Sequence, residues 1–269
     1  MTEHAMESAV IARIQAALQR AASVLSRFAP GAVEVEYKAG HSPVTEADRA
    51  VDEAVRTVLL QDGEGWLSEE TADNPDRLNK KCLWLVDPLD GTREFLQGIP
   101  EWCVSIAWVQ DGEALAGGIL NPATGETFLG SRNTGVKRNG LPARVSPRRE
   151  LPGALVLGSR SEFDRGEWKQ FQDGPLVLRP VGSVAYKLAL VAAGVADATW
   201  TLVPKHEWDI AAGTALVQAA GGIVRNLDGS SITFNQPKPR LPGLIAAGPN
   251  LYPEISRLLK LPTVAGMGV

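Results

Sequence analysis

The segment Trp84-Leu85-Val86-Asp87-Pro88-Leu89-Asp90-Gly91-Thr92 joins an apolar run to a helix start through two aspartates. The run, bounded by turn residues, predicts a buried strand. It delivers Asp87 at its C-terminal end, where ligand sites of open sheets lie. Pro88 turns the chain, Asp90 follows, and Gly91 lets backbone approach a ligand closely. Thr92 then opens a helix whose first N–H groups and dipole suit an anion such as phosphate. Two carboxylates, a backbone carbonyl and a helix N-terminus so close together make a sensible metal-plus-phosphate site. A plainer reading stays open, in which Asp90 caps the helix and Asp87 braces the turn.

Upstream, residues 6–28 carry apolar side chains at helical spacing, and Pro30-Gly31 ends that helix. A second helix begins at Thr45, with Val51, Val55, Val58 and Leu59 as its buried stripe. Trp66-Leu67 and Leu83 to Val86 read as strands, and 102–129 as hairpin strands with turns at Asp111-Gly112, Asn121-Pro122 and Thr124-Gly125. The stretch 131–153 is rich in Arg, Asn, Gly and Pro, which suggests a division into residues 1–150 and 151–269. Beyond it, strands (154–157, 176–178, near 196–203, 223–226, 244–247) alternate with helices (183–193, 209–220, 253–260), and Gly221-Gly222 closes the second of these. An antiparallel-sheet N-terminal half followed by an αβ-alternating C-terminal half predicts a mixed α+β, α/β architecture of stacked layers. No internal repeat is visible.

The chain has 269 residues, 44% hydrophobic and 22% charged, with a formal net charge of −4. That composition excludes disorder and disulfide scaffolds, and the acidity argues against nucleic acid or an anionic membrane as partner. Cys82 and Cys103 read as reduced, packed thiols, and His4, His41 and His206 are too scattered for a zinc site. Glu3 and Glu7 stand where a secretory leader carries basic residues, and the longest apolar run, 188–196, stops at Asp197. The expectation is a soluble, cytoplasmic protein.

Three further segments carry acids. Ser68-Glu69-Glu70-Thr71 follows a strand; adjacent carboxylates are usually solvated. Thr45 and Asp48 have capping-box spacing, so capping is the ordinary role for Asp48. Glu207-Trp208-Asp209 precedes the run from Ile210 to Ala220 and puts Asp209 at a helix N-terminus, where it too would ordinarily cap.

Taken together, in order and spacing, the four segments resemble the lithium-sensitive, magnesium-dependent phosphomonoesterases of the inositol monophosphatase superfamily. The resemblance runs from about residue 42 to 222 and implies the layered αβαβα sugar-phosphatase-like fold. Several details are most similar to the 3′(2′),5′-bisphosphate nucleotidases of sulfur assimilation. These are Ser42-Pro43-Val44-Thr45, Leu67-Ser68-Glu69-Glu70, Arg93-Glu94-Phe95, Ser159-Arg160-Ser161, and Gly182-Ser183 with Lys187. Leu202 stands seven residues before Asp209, where inositol monophosphatases carry an acidic residue for the inositol ring.

The resemblance implies two or three Mg²⁺ per site. Glu69, Asp87 and the Leu89 carbonyl would hold the first, and Asp87, Asp90 and Asp209 the second. Thr92 with Asp48 would orient and deprotonate the attacking water, and Glu70 would assist. Gly91 and Thr92 N–H groups would cradle the phosphate. Gly182, Ser183, Arg160, Lys187 and Lys205 are the substrate candidates; each basic residue has a solvated surface charge as its ordinary alternative. Trp102, Trp200 and Trp208 would border a base pocket or else belong to the core. The expected partner is a small phosphate ester, foremost adenosine 3′,5′-bisphosphate, with a homodimer left open. An inositol or broad sugar phosphatase is the enzymatic alternative, and a non-catalytic phospholigand-binding regulator the alternative of another class. Four carboxylates in one place equal the whole net charge, so the acidity is largely that of an unfilled metal site.

Overall fold

The computed structural model describes residues 3–32, 35–37 and 43–261. His41 and Ser42 lie outside the described residues, as does the side chain of His4.

The chain opens with α1 (Glu3–Leu25), which ends three residues short of the expected 28. A short antiparallel pair, β1 (Val35–Tyr37) and β2 (Pro43–Thr45), leads into α2 (Glu46–Leu59). A seven-stranded sheet follows: β3 (Gly65–Ser68), β4 (Cys82–Asp90), β5 (Cys103–Gln110), β6 (Glu113–Asn121), β7 (Glu126–Ser131), β8 (Gly135–Arg138) and β9 (Leu141–Ala143), side by side in that order. Only β3 and β4 run parallel. α3 (Thr92–Leu96) interrupts it after β4. The hairpins expected from 102 to 129 are β5 to β7. The sequence did not announce β8 and the edge strand β9, because such short strands with Pro142 and turn glycines give no long alternation.

The second half supplies β10 (Leu155–Ser159), α4 (Arg160–Asp164), α5 (Lys169–Gln172), β11 (Val177–Val181), α6 (Val184–Ala192), β12 (Ala198–Thr201), β13 (Lys205–His206), α7 (Glu207–Ala219), β14 (Ile223–Asn226), β15 (Arg240–Leu241), β16 (Leu244–Ala247) and α8 (Tyr252–Leu258). Five of these strands form a mixed sheet in the order β11-β10-β12-β16-β14, while β13 pairs with β15. α7 begins two residues before the expected 209, so Asp209 lies inside its first turn.

The layers follow from the side-chain periods. Along β4, Leu83 and Leu85 join one buried cluster with α6 and α7, while Trp84 and Val86 join another with α1 and α2. A strand covered on both faces reads as a continuous apolar run, which is why 83–86 looked buried. α6 and α7 are in turn covered by the five-stranded sheet, whose outer face packs Trp200, Ile245 and Ala247 against Trp168, Phe171 and Ile255. The order is helix pair, sheet, helix pair, sheet, helices: the expected αβαβα stack. Gly117 and Gly118 on β6 make the close spacing possible, since a Cβ at Gly117 would lie 2.5 Å from the Ala212 carbonyl oxygen of α7, and one at Gly118 2.3 Å from Ile14 of α1. Cys82 and Cys103 are free thiols. Among the described residues no helix is long and apolar enough to cross a membrane.

Candidate active site

β4 and β5 are in register up to Asp87↔Ser105 and again at Asp90↔Cys103. Pro88 and Leu89 on β4 therefore stand against the single Val104 on β5, a bulge. In a regular strand, residues three apart point to opposite faces. The extra residue lets Asp87 and Asp90 line one cleft of about 300 Å³. Asp87 Oδ1 accepts the Leu89 N–H at 3.0 Å, which fixes the turn. Gly91 (φ 98°) caps α3, so Asp90 does not cap its own helix.

Glu69 leaves the end of β3 beside β4, its N–H donating to the Val86 carbonyl at 3.3 Å. Asp209 enters from α7, where its Oδ2 accepts the His206 N–H at 2.9 Å, so it does cap as well. Oxygens of Glu69, Asp87 and Asp209 all lie within 4.8 Å of one another. Burial, then the charges of Glu69, Asp90 and Asp209, push the Asp87 carboxyl well above its ordinary range. Burial and the charges of Asp90 and Glu69 do the same to Asp209. Three convergent carboxylates that resist ionising together are a donor set fitted to a hard divalent cation such as Mg²⁺.

Asp90 is held from the far half of the chain. Its Oδ2 accepts the Ser183 hydroxyl and the Ala185 N–H, both at 2.6 Å. The N-terminus of α6, where Ser183 was a substrate candidate, is thus occupied by a carboxylate of the protein itself. Ser183 sits at φ 55°, an uncommon conformation for a non-glycine residue, and its Oγ also accepts the Tyr186 N–H at 2.9 Å.

Asp48, 2% exposed, serves two elements. Its Oδ2 accepts the Thr45 N–H (2.8 Å) and hydroxyl (2.6 Å), the capping box at the start of α2. Its Oδ1 lies 3.2 Å from Thr92 Oγ1, and the Leu89 carbonyl lies 3.1 Å from the same hydroxyl. Burial raises the Asp48 pKa against these hydrogen bonds. Glu70 borders a neighbouring hollow with Arg49, Asp52 and Arg56 rather than the cleft.

Basic groups ring the acids: Arg93, Arg160, Lys187 and Lys205 line the same cleft. Two of them are not the solvated charges that were the ordinary alternative. Lys187 is 1% exposed, its Nζ donating to the Ser183 (2.9 Å) and Val181 (3.2 Å) carbonyls, and burial lowers its pKa to about 8. Arg160 forms a two-pronged ion pair with Glu101 at 2.6 and 2.8 Å, and Glu101 also accepts the Gly182 N–H at 2.7 Å. Burial works to raise the Glu101 pKa, but those bonds hold it below its ordinary value. Lys205 lies 3.6 Å from the buried Glu162.

None of the three tryptophans lines the cleft. Trp102 packs edge-on to Phe95 at 4.9 Å, Trp200 stacks on Trp168 at 5.0 Å in the outer core, and Trp208 stacks behind His206 at 4.5 Å. Leu202 is exposed and outside the lining. Sequence reasoning assigned no role to Glu94, Glu101 or His206. Glu94, whose pKa burial raises, and His206 line the cleft. A signal for His206 was present in its capping-box spacing to Asp209; Glu101 had none. A larger hollow of about 680 Å³ between α1 and β6 to β8 holds one lysine and no acid, so it offers no comparable chemistry.

Comparison with known proteins gives the same picture. The family model described as the inositol monophosphatase family matches residues 5–259. The chain is 35% identical over 216 residues to the Nus factor SuhB of Pseudomonas aeruginosa, covering 74% of this chain and 77% of that protein. It is 34% identical over 228 residues to an inositol-1-monophosphatase of Mesorhizobium japonicum, covering 80% and 84%. Among solved structures, CysQ from Bacteroides thetaiotaomicron, described as a bacterial member of the inositol monophosphatase family, superposes with a TM-score of 0.74 at 28% identity, covering 88% and 96%. The layered fold, the carboxylate cluster and the end-to-end match agree, and the chain belongs to the inositol monophosphatase family of phosphatases.

Proposed function

We propose that this chain is a Mg²⁺-dependent phosphomonoesterase whose preferred substrate is adenosine 3′,5′-bisphosphate, converted to AMP and phosphate. The observation that carries the reading is one cleft in which a floor of clustered carboxylates is ringed by cationic side chains. Glu69, Asp87, Asp90, Asp209 and the Leu89 carbonyl would hold Mg²⁺, which when bound supplies charge neutralisation and an acidified water.

The remaining work falls to the chain's own groups. The first N–H groups of α3, at Gly91 and Thr92, have no partner within the helix and meet the phosphate oxygens. Thr92 Oγ1 passes its proton toward Asp48 Oδ1 and so can accept one from the attacking water. The water oxygen bonds to phosphorus, the ester oxygen leaves with the electron pair of the broken P–O bond, and solvent protonates it. Arg160, aligned by Glu101, and Lys187 and Lys205 face the second phosphate.

A second reading is favoured by the Mesorhizobium relative's name: inositol 1-phosphate as substrate. Leu202 supports the nucleotide reading, because it places an apolar residue outside the cleft where an inositol-binding acid would be needed. A phosphate-release panel with Mg²⁺ decides between them, comparing adenosine 3′,5′-bisphosphate, inositol 1-phosphate and fructose 1,6-bisphosphate, each with and without lithium. Preference for inositol 1-phosphate would overturn the nucleotide assignment. Binding of all three esters without phosphate release would make the chain a non-catalytic binder.

A further inference from the structure

One turn after Asp48, α2 carries another buried carboxylate. Asp52 is 7% exposed, and both its oxygens are engaged. Oδ1 accepts the Ser68 hydroxyl, and Oδ2 accepts the Thr71 hydroxyl at 2.5 Å. These hydroxyls flank Glu69 and Glu70. Ser68 Oγ also accepts the Glu70 N–H at 3.4 Å, closing the turn through which the chain leaves β3. Thr71 Oγ1 also accepts the Trp66 indole N–H at 3.3 Å. Both hydroxyls donate to Asp52, so both of their protons point at its carboxyl group. Their lone pairs are then turned toward Glu70 and Trp66.

Asp87 is fixed within a central strand and Asp209 within a helix, whereas Glu69 lies just past the end of β3. Like charge on the other two pushes Glu69 away from them, and the turn that carries it, pinned at its start by the Glu69 N–H to the Val86 carbonyl, must bear that load. Asp52 does not line the cleft, so it touches no reacting group.

We infer that Asp52 is a positioning residue that locks the 68–71 turn and so keeps Glu69 in the carboxylate cluster. The inference rests on the reading of that cluster as a divalent-cation site. It assigns the inner face of α2 two tasks, with Asp48 orienting Thr92 and Asp52 orienting Glu69.

The test uses the full chain without substrate and measures Mg²⁺ binding by calorimetry, with thermal melting to verify folding. Asp52→Ala should raise the Mg²⁺ dissociation constant about tenfold, the scale for partners of metal ligands. Asp52→Asn, nearly isosteric, should move it in the same direction. The Mg²⁺ concentration for half-maximal phosphate release should rise in parallel, while kcat at saturating Mg²⁺ stays within about twofold. A Ser68→Ala/Thr71→Val variant should reproduce the rise, and adding Asp52→Ala to it should raise it no further. Folded Asp52→Asn protein with wild-type Mg²⁺ affinity would overturn the inference, as would additive effects in the combined variant. Wild-type protein that binds no Mg²⁺ would instead overturn the cation-site reading itself.

Discussion

Asp90 and Ser183, 93 residues apart, share a 2.6 Å hydrogen bond, and the same aspartate oxygen takes the Ala185 N–H. A proposed metal ligand from the first sheet is therefore the N-terminal anchor of α6. Asp90→Asn can keep those two bonds through its amide oxygen but loses the charge. It should melt cooperatively near wild type while kcat falls at least about a hundredfold, the upper scale already reached by mere partners of metal ligands. Retained activity, or loss of cooperative melting, counts against the assignment. Ser183→Ala should instead cost about 1 kcal/mol of stability, the usual value of a lost N-cap.

The two tasks of Asp48 separate through its partners. Thr45→Ala removes only the cap and should cost about 1 kcal/mol with kcat nearly unchanged. Thr92→Val should leave the melting temperature within a few degrees and lower kcat by about 10² to 10⁴, the range for general-base assistance. Denaturant unfolding and steady-state kinetics on the pair check this. Equal effects of both variants on kcat would show that Thr92 acts only through the fold.

Arg160→Ala should raise KM for adenosine 3′,5′-bisphosphate about tenfold, the worth of a hydrogen bond to a charged group. A monoester lacking the second phosphate should be affected less. Equal changes for both substrates would remove Arg160 from second-phosphate recognition.

Lys187 titrates near 8 in the folded chain against an ordinary 10.5. Between those values the unfolded chain binds the extra proton, so stability rises with pH across that window, and the burial penalty is complete below it. The melting temperature of wild type, measured relative to Lys187→Met, should climb from pH 8 to 10. Because the charge facing substrate is lost over the same range, KM should rise above pH 8 in wild type and stay flat in the variant. A flat wild-type profile would refute the role.

Asp87 and Asp209 have raised pKa values, so without metal the fold gains from their protonation in mild acid. That gain disappears as pH rises through the folded pKa values. Chelator-treated protein should thus melt higher in mild acid than at neutrality, relative to an Asp87→Asn/Asp209→Asn control. At neutral pH, Mg²⁺ at a hundred times its dissociation constant should add about 2.7 kcal/mol. No melting shift on adding Mg²⁺ would contradict the site.

What the sequence announced was local. Asp87, Asp90, Gly91 and Thr92 sit in one short run, and their strand, turn and cap follow from neighbours along the chain. The capping spacing of Thr45 and Asp48 was legible for the same reason. Glu101 was not, because its meaning comes from Arg160 and Gly182, 59 and 81 residues away. Asp52 was hidden likewise, because its partners Ser68 and Thr71 lie 16 and 19 residues on. Burial decided what residue type left open: Lys187 is buried at the cleft rather than a solvated charge, and the three tryptophans belong to packing rather than to the cleft.

The bulge at Pro88 has a counterpart in time. A chain made from its N-terminus presents Glu69, Asp87 and Asp90 more than a hundred residues before Asp209 exists. Until α6 and α7 emerge, the early acids repel one another with no anchor for Asp90 and no third member of the cluster. Initial collapse of the nascent first sheet therefore proceeds with that cluster incomplete. The carboxylate cluster is completed only when the late-made helices close onto a sheet already built.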